Sequence, residues 1–169
     1  MRAPRKPWLR KLLLSAWQSE RFDAWLSSRI TAERFDNLLS GDIEKKTDTG
    51  GLFDVEDPEG ELPRLRSHAI VFTGPMFGFR MRSPAPGSEA AEAEAASLAT
   101  AELSEGALKK ARLTGARRPA RLHPEDLAIE VDPEDPASLV FRFALRKGSY
   151  ATTVLREYRK PGEAVRGAA

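Results

Sequence analysis

Between Pro7 and Thr31, large apolar residues recur at steps of three and four. Trp8, Leu9, Leu12, Leu13, Ala16, Phe22, Trp25, Leu26 and Ile30 all fall on this period. It predicts one helix over residues 7–31 with a broad, aromatic apolar side. Pro7 suits its first turn, where a missing N–H costs nothing. A helix with so wide an apolar stripe must be covered, and this bounds the fold: the chain needs a layer to lay against residues 7–31.

The next segments supply candidates for that layer. Thr31 is placed to cap a short second helix running to Leu39, with Phe35, Leu38 and Leu39 on its apolar side, although Arg34 stands where a capping box would carry an acid. Gly41-Asp42 reads as a turn. Ile43 to Thr47 and Leu52 to Val55, joined through Gly50-Gly51, read as a β-hairpin. The acids from Asp54 to Glu61 read as a solvated loop and helix start. Thr73-Gly74-Pro75 and Phe77-Gly78 are turn signals. Ser88 caps a helix over Glu89 to Leu103. This helix is rich in Ala and Glu and is expected at the surface, because little in it is larger than Ala. Two strands follow, Leu127 to Val131 and Leu139 to Leu145. Leu139, Phe141, Phe143 and Leu145 share one face of the second. Ser149 is read as the cap of a last helix, and residues 161–169 as a disordered tail.

Composition removes several function classes. There is no cysteine, so disulfides and thiolate metal sites are excluded, and His68 and His123 stand in no ligand spacing. The basic start and Leu12-Leu13-Leu14 superficially resemble a secretory signal, but Lys11 abuts an apolar run too short for one. No run approaches the ~18 apolar residues of a membrane span. A soluble, cytoplasmic chain is expected, with no membrane partner. The net charge is only +2. Its distribution is more telling: Lys109, Lys110, Arg112, Arg117, Arg118 and Arg121 occur with no acid among them. They form either a phosphate-contact patch or a solubilising surface.

Gly148-Ser149-Tyr150-Ala151-Thr152-Thr153-Val154-Leu155-Arg156-Glu157 is the most specific stretch. It resembles the motif that ends the catalytic domain of the TruD family of tRNA pseudouridine synthases. Further matches occur in that family's order. Leu14-Ser15-Ala16 with Gln18-Ser19 and Phe22 is similar to its L-S-A-x-Q-S-x-x-F-N helix. Gly41-Asp42 is similar to its L-x-x-G-D turn, and Thr73-Gly74-Pro75-Met76 with Gly78 to its T-G-P-x-x-G loop. Gly115-Ala116-Arg117-Arg118-Pro119 is similar to its G-x-R-R-P segment. Asp23 stands in place of the family's Asn, and Arg146 in place of its Pro before Lys147.

The resemblance implies an α+β chain. Residues 1–116 would be an insertion domain of helices with a small hairpin. Residues 117–160 would be the C-terminal strands and helix of a pseudouridine synthase catalytic domain. It implies isomerisation of uridine to pseudouridine in tRNA, at position 13 in the family, with no cofactor. The family's catalytic aspartate, in a G-x-K-D motif, has no counterpart: no aspartate follows a lysine, and Asp48 in the hairpin turn is the nearest candidate. The F-G-x-Q-R-F-G motif is also missing. The catalytic set is therefore empty, and the chain alone is expected to be inactive. Ser149, Tyr150, Arg117, Arg118, Lys109, Lys110 and Arg121 remain as cleft or RNA-binding candidates. Tyr150 either stacks near the target base or closes the core beneath its helix. Three readings stay open: an isomerase acting with a separately encoded N-terminal half, a non-catalytic RNA-binding module, and a decayed gene product.

Overall fold

The computed structural model describes residues 6–99 and 105–159. The chain divides into two compact units, Met1–Arg121 and Leu122–Ala169. The fold is α+β, with all strand pairing antiparallel among the described residues.

In the first unit, helix α1 (Pro7–Thr31) forms over the range its periodicity predicts, with Pro in its first turn. The layer that covers it is a four-stranded sheet in the order β2-β1-β3-β4. Its strands are β1 (Ile43–Lys46), β2 (Leu52–Asp54), β3 (Ile70–Met76) and β4 (Ala116–Pro119). Helix α2 (Pro58–Arg66) lies between β2 and β3 in sequence, and the Asp57 carboxylate caps it by accepting from the Gly60 N–H. Phe22 and Trp25 of α1 meet Leu38, Val55, Leu65, Ile70 and Phe72 in one core, in which Phe72 is fully buried. Trp25 and Phe35 both approach the Phe72 ring edge-on.

The expected turn at Thr73-Gly74-Pro75 is instead the second half of β3, paired with β4 from Thr73↔Pro119 to Met76↔Ala116. The glycine serves packing. A Cβ at Gly74 would lie 2.3 Å from the Trp25 ring and 2.6 Å from the Phe22 ring, so only glycine lets α1 lie this close to the strand. Gly78 and Gly115 press backbone to backbone in the same way: a Cβ on Gly78 would sit 2.1 Å from the Gly115 nitrogen.

The short helix expected over 31–39 is absent. Arg29 organises this segment instead. Its guanidinium donates to the Arg34 and Asn37 carbonyls, which holds residues 34–37 in a non-helical path. Leu38 and Leu39 are still buried. Helix α3 (Glu89–Ala99) forms with Ser88 Oγ accepting from the Ala91 N–H at 3.2 Å. It is not wholly at the surface, because Ala90 and Glu94 are buried. Helix α4 (Glu105–Lys110) completes the unit.

The second unit is a hairpin of β5 (Glu125–Val131) and β6 (Leu139–Ala144), followed by helix α5 (Ala151–Tyr158). Gly148 has φ +93, a conformation that favours glycine. The residue at the α5 N-cap is Tyr150, with no side-chain capping bond, so the capping role expected of Ser149 is not realised. The tail over 161–169 lies outside the described residues.

Candidate functional site

The motif-bearing segments of the first unit converge on the two faces and the end of β3. Gln18 of α1 donates its side-chain N–H to the Phe77 carbonyl at 2.9 Å, with Met76 O at 3.4 Å. Asp42, which follows the Gly41 turn, accepts two bonds from Arg29 at 2.7 and 2.6 Å and a third from the Leu39 N–H at 2.7 Å. Both side chains of that pair are 3% exposed, so the ion pair is buried and losing either partner would leave a charge unpaired in the interior. The Arg29 guanidinium also lies 4.1 Å from the Phe72 ring centroid.

Arg117 occupies the opposite face of the sheet. It donates to Thr73 O at 2.5 Å and Thr73 Oγ1 at 3.1 Å, and pairs with Glu94 of α3 at 2.7 Å. Thr73 Oγ1 donates in turn to the Ile43 carbonyl. The Arg117 side chain is 2% exposed and ties α3 to β3 and β4. Burial raises the Glu94 carboxyl above its ordinary range, and Arg117 opposes that shift.

Strand alternation sends Arg118 the other way, over the Phe22 ring at 4.6 Å. Arg121 lies over the Phe35 ring at 4.5 Å and pairs with Asp36. Lys109 and Lys110 are exposed in the last turn of α4. The basic run from Lys109 to Arg121 is thus not one surface. Arg117 faces inward, Arg118 and Arg121 brace aromatic rings with part of their surface open, and the two lysines point to solvent.

Ser149 is half-buried, and its N–H donates to the Arg146 carbonyl at 3.1 Å. Tyr150 is 72% exposed, so it does not close the core beneath α5; Val154 does. A phenol ring open to solvent at a helix start is free to stack on a base.

Two carboxylates of the first unit stand in opposite environments. Asp48 is an exposed turn residue whose pKa is lowered, chiefly by the Thr49 N–H that its carboxylate accepts at 2.6 Å. Glu44 is the opposite case: fully buried, with neither carboxyl oxygen hydrogen-bonded. Burial, and then the charge of Asp42, push its pKa up to about 8. Sequence reasoning missed Arg29 and Glu94, whose ion-pair partners Asp42 and Arg117 lie elsewhere along the chain, and Glu44, whose burial comes from strand pairing with Phe53 and Phe72. Among the described residues, no cluster of three His, Cys, Asp or Glu is placed to hold a metal, and no helix is long and apolar enough to cross a membrane.

A family model described as tRNA pseudouridine synthase D (TruD) matches residues 5–158. The chain belongs to the TruD family. The tRNA pseudouridine synthase D of Anaeromyxobacter dehalogenans (strain 2CP-1) is 42% identical over 164 residues, covering 96% of this chain and 45% of that protein. The Geobacter sulfurreducens protein of that name is 43% identical over 160 residues, covering 92% of this chain and 38% of its own length. The fold is similar to the crystal structure of a Methanosarcina mazei protein assigned as tRNA pseudouridine synthase D. The TM-score is 0.67 and the identity 26%, over 83% of this chain and 36% of that one. The chain therefore spans less than half the length of the TruD relatives it matches. The paired glycines Gly78 and Gly115, the Gly74 contact with Trp25 and the Gln18 bonds give physical reasons for the TruD-like motifs at these positions.

Proposed function

We propose that this chain supplies the C-terminal half of a tRNA pseudouridine synthase of the TruD type, and that its chemistry is completed by the N-terminal half of that fold. The observation that carries this reading is the family match over residues 5–158; within the first unit, the motif residues Gly78 and Gly115 also press against each other. The reaction breaks the uracil N1–C1′ bond, turns the base and forms the C5–C1′ bond; C5 loses its proton and N1 gains one, so the product is an isomer of the substrate. A carboxylate is needed at the glycosidic carbon. The family's G-x-K-D motif has no counterpart in this chain, so in this reading the aspartate comes from the other half.

The role of the chain is then to hold RNA. Tyr150, exposed at the start of α5, stacks on an unpaired base, and the segment at Ser149 borders it. Lys109, Lys110 and the open side of Arg118 contact phosphates, with Arg121 at the edge of the same sheet face. Arg117 supports this surface from within by holding β4 in place.

The test is complementation in trans. The part of the Anaeromyxobacter dehalogenans relative outside the matched segment is co-expressed with this chain, and tRNA nucleosides are separated by liquid chromatography. Pseudouridine should form with both polypeptides together. The reading fails if none forms while that same N-terminal part is active with its own C-terminal half. Steep salt-dependent tRNA binding without turnover would then favour a non-catalytic RNA-binding module.

A further inference from the structure

Glu44 is fully buried, and neither of its carboxyl oxygens has a hydrogen-bond partner. The register sets it directly across from Phe53 of β2 and Phe72 of β3, so it lies on the sheet face that builds the core. A carboxyl in such a place ionises only at a cost, unless a cation reaches it. Charged groups approach it from every element packed on this face. Asp42, two residues earlier on the same face, adds a negative charge. Arg29 of α1 lies 4.1 Å from the Phe72 ring centroid, but Asp42 and the carbonyls of Arg34 and Asn37 already take its donors. On α2, Glu61 opposes ionisation and holds Arg64 at 2.7 Å, over the Phe53 ring. Lys46 is exposed at the end of β1, 6.0 Å from that ring. Arg121, just after β4, is held differently. Its guanidinium lies 4.5 Å from the Phe35 centroid and 5.9 Å from that of Phe72, the ring beside Glu44. The side chain of its carboxylate partner, Asp36, is 80% exposed, so water weakens the pair. The cations whose charge favours an ionised Glu44 are Arg29 and, after it, Arg121.

We infer that Glu44 and Arg121 form a proton-operated switch. With Glu44 protonated, Arg121 stays with Asp36 at the surface. When Glu44 gives its proton to water, the guanidinium slides from the Phe35 ring across the Phe72 ring and pairs with the new carboxylate. Arg29 does not move, because releasing it would leave Asp42 unpaired in the interior. Arg121 gives up only a solvated pair. The slide keeps this cation against an aromatic ring throughout, so its attraction to the rings is retained. Burial, and then the charge of Asp42, set the range in which the switch acts by raising the Glu44 pKa to about 8. In its consequence for RNA the inference rests on the function proposed above: mild alkali withdraws Arg121 from the surface to which phosphate contacts are assigned there.

The experiment follows both side chains in the full chain by carbon-detected nuclear magnetic resonance, between about pH 6 and about pH 9.5. The Arg121 Cζ signal is identified by its loss in Arg121→Lys, and the Glu44 Cδ signal by its loss in Glu44→Gln. In the wild type the two signals should shift together, at a midpoint well above 4.5 and no higher than about 8. In Glu44→Gln the Arg121 signal should stay still. Asp36→Asn, a surface change that leaves the core intact, should lower the midpoint by roughly 0.2–0.7 on the pH scale, since Arg121 then has no competing partner. An Arg121 signal that ignores the Glu44 titration overturns the switch and leaves the proposed function standing. So does an Arg29 or Arg64 signal that moves in its place, or a midpoint unchanged by Asp36→Asn. Loss of the folded circular dichroism signal through the same range also overturns it, because unfolding then relieves the buried charge. Filter binding of tRNA separates the two readings. Wild-type affinity should fall several-fold more than that of Glu44→Gln between about pH 7 and about pH 9. If Arg121 moves while the two affinities change equally, the switch stands and the RNA contact proposed for Arg121 falls.

Discussion

Glu44→Gln should stabilise the chain at pH 8 and above, and do progressively less as the pH falls toward 5. Glu44 is fully buried between its cross-strand neighbours Phe53 and Phe72, and neither carboxyl oxygen has a hydrogen-bond partner. Burial is the main reason its pKa rises from 4.5 to about 8; the negative charge of Asp42 adds to it, and Arg29 opposes it. The direction of the pH effect follows from proton counting. Below pH 4.5 the carboxyl is protonated in both the folded and the unfolded chain, and Glu44 imposes no penalty. Between 4.5 and about 8 the unfolded chain releases the proton while the fold retains it, so stability falls as pH rises. Above about 8 both states are ionised and the loss is complete. A pKa difference of this size corresponds to on the order of 5 kcal/mol, comparable to the lower end of the roughly 5–15 kcal/mol typical of a domain. The assay is urea unfolding followed by tryptophan fluorescence, to which the buried Trp25 contributes, at several pH values between about 5 and 9. The difference between wild type and Glu44→Gln isolates this carboxyl from Glu94, whose pKa is also raised. A difference that stays constant across that range, or a glutamine variant less stable than wild type at pH 8, would refute the reasoning.

Other substitutions test the packing and the site. Gly74→Ala forces a methyl into the Trp25 ring and should cost about 1–3 kcal/mol in the same unfolding assay. Arg29→Met leaves Asp42 buried without its cation and should cost roughly 3–5 kcal/mol, enough to lower the urea midpoint sharply. Tyr150→Ala should leave stability within about 0.5 kcal/mol, since the ring is exposed. It should weaken tRNA binding by the complemented protein by about 1–3 kcal/mol in filter binding; unchanged affinity would contradict base stacking.

Elements with a strong local period are legible in the sequence alone. The three- and four-residue recurrence of α1, the Gly50-Gly51 hairpin and the alternating β6 form where their residues place them, and the Ser88-capped helix does so over Glu89–Ala99, the rest of its expected range to Leu103 lying outside the described residues. What escapes a local reading is set by distant partners. Gly74 and Pro75 carry turn signals, but the glycine is there because Trp25 and Phe22, far earlier in the chain, lie against it. Residues 32–39 lose their helix to the carbonyl contacts of one side chain, Arg29. The basic run gives no hint that Arg117 turns inward, because its partner Glu94 belongs to a helix whose composition reads as surface. Family membership, carried by short ordered motifs, is the most legible property. The motifs of the first unit are local in sequence, and those at Gln18, Asp42, Gly74, Gly78 and Gly115 each mark a close contact.

The central claim is that this chain belongs to a pseudouridine synthase family, and the proposal built on it is that the chain does not isomerise uridine by itself. The most direct test incubates an unmodified tRNA transcript with the purified chain alone, at high enzyme and for long times, and quantifies pseudouridine after nuclease digestion. The account predicts none above the no-enzyme control. Pseudouridine accumulating in proportion to the amount of this chain would contradict it, and would place the missing carboxylate chemistry among this chain's own residues.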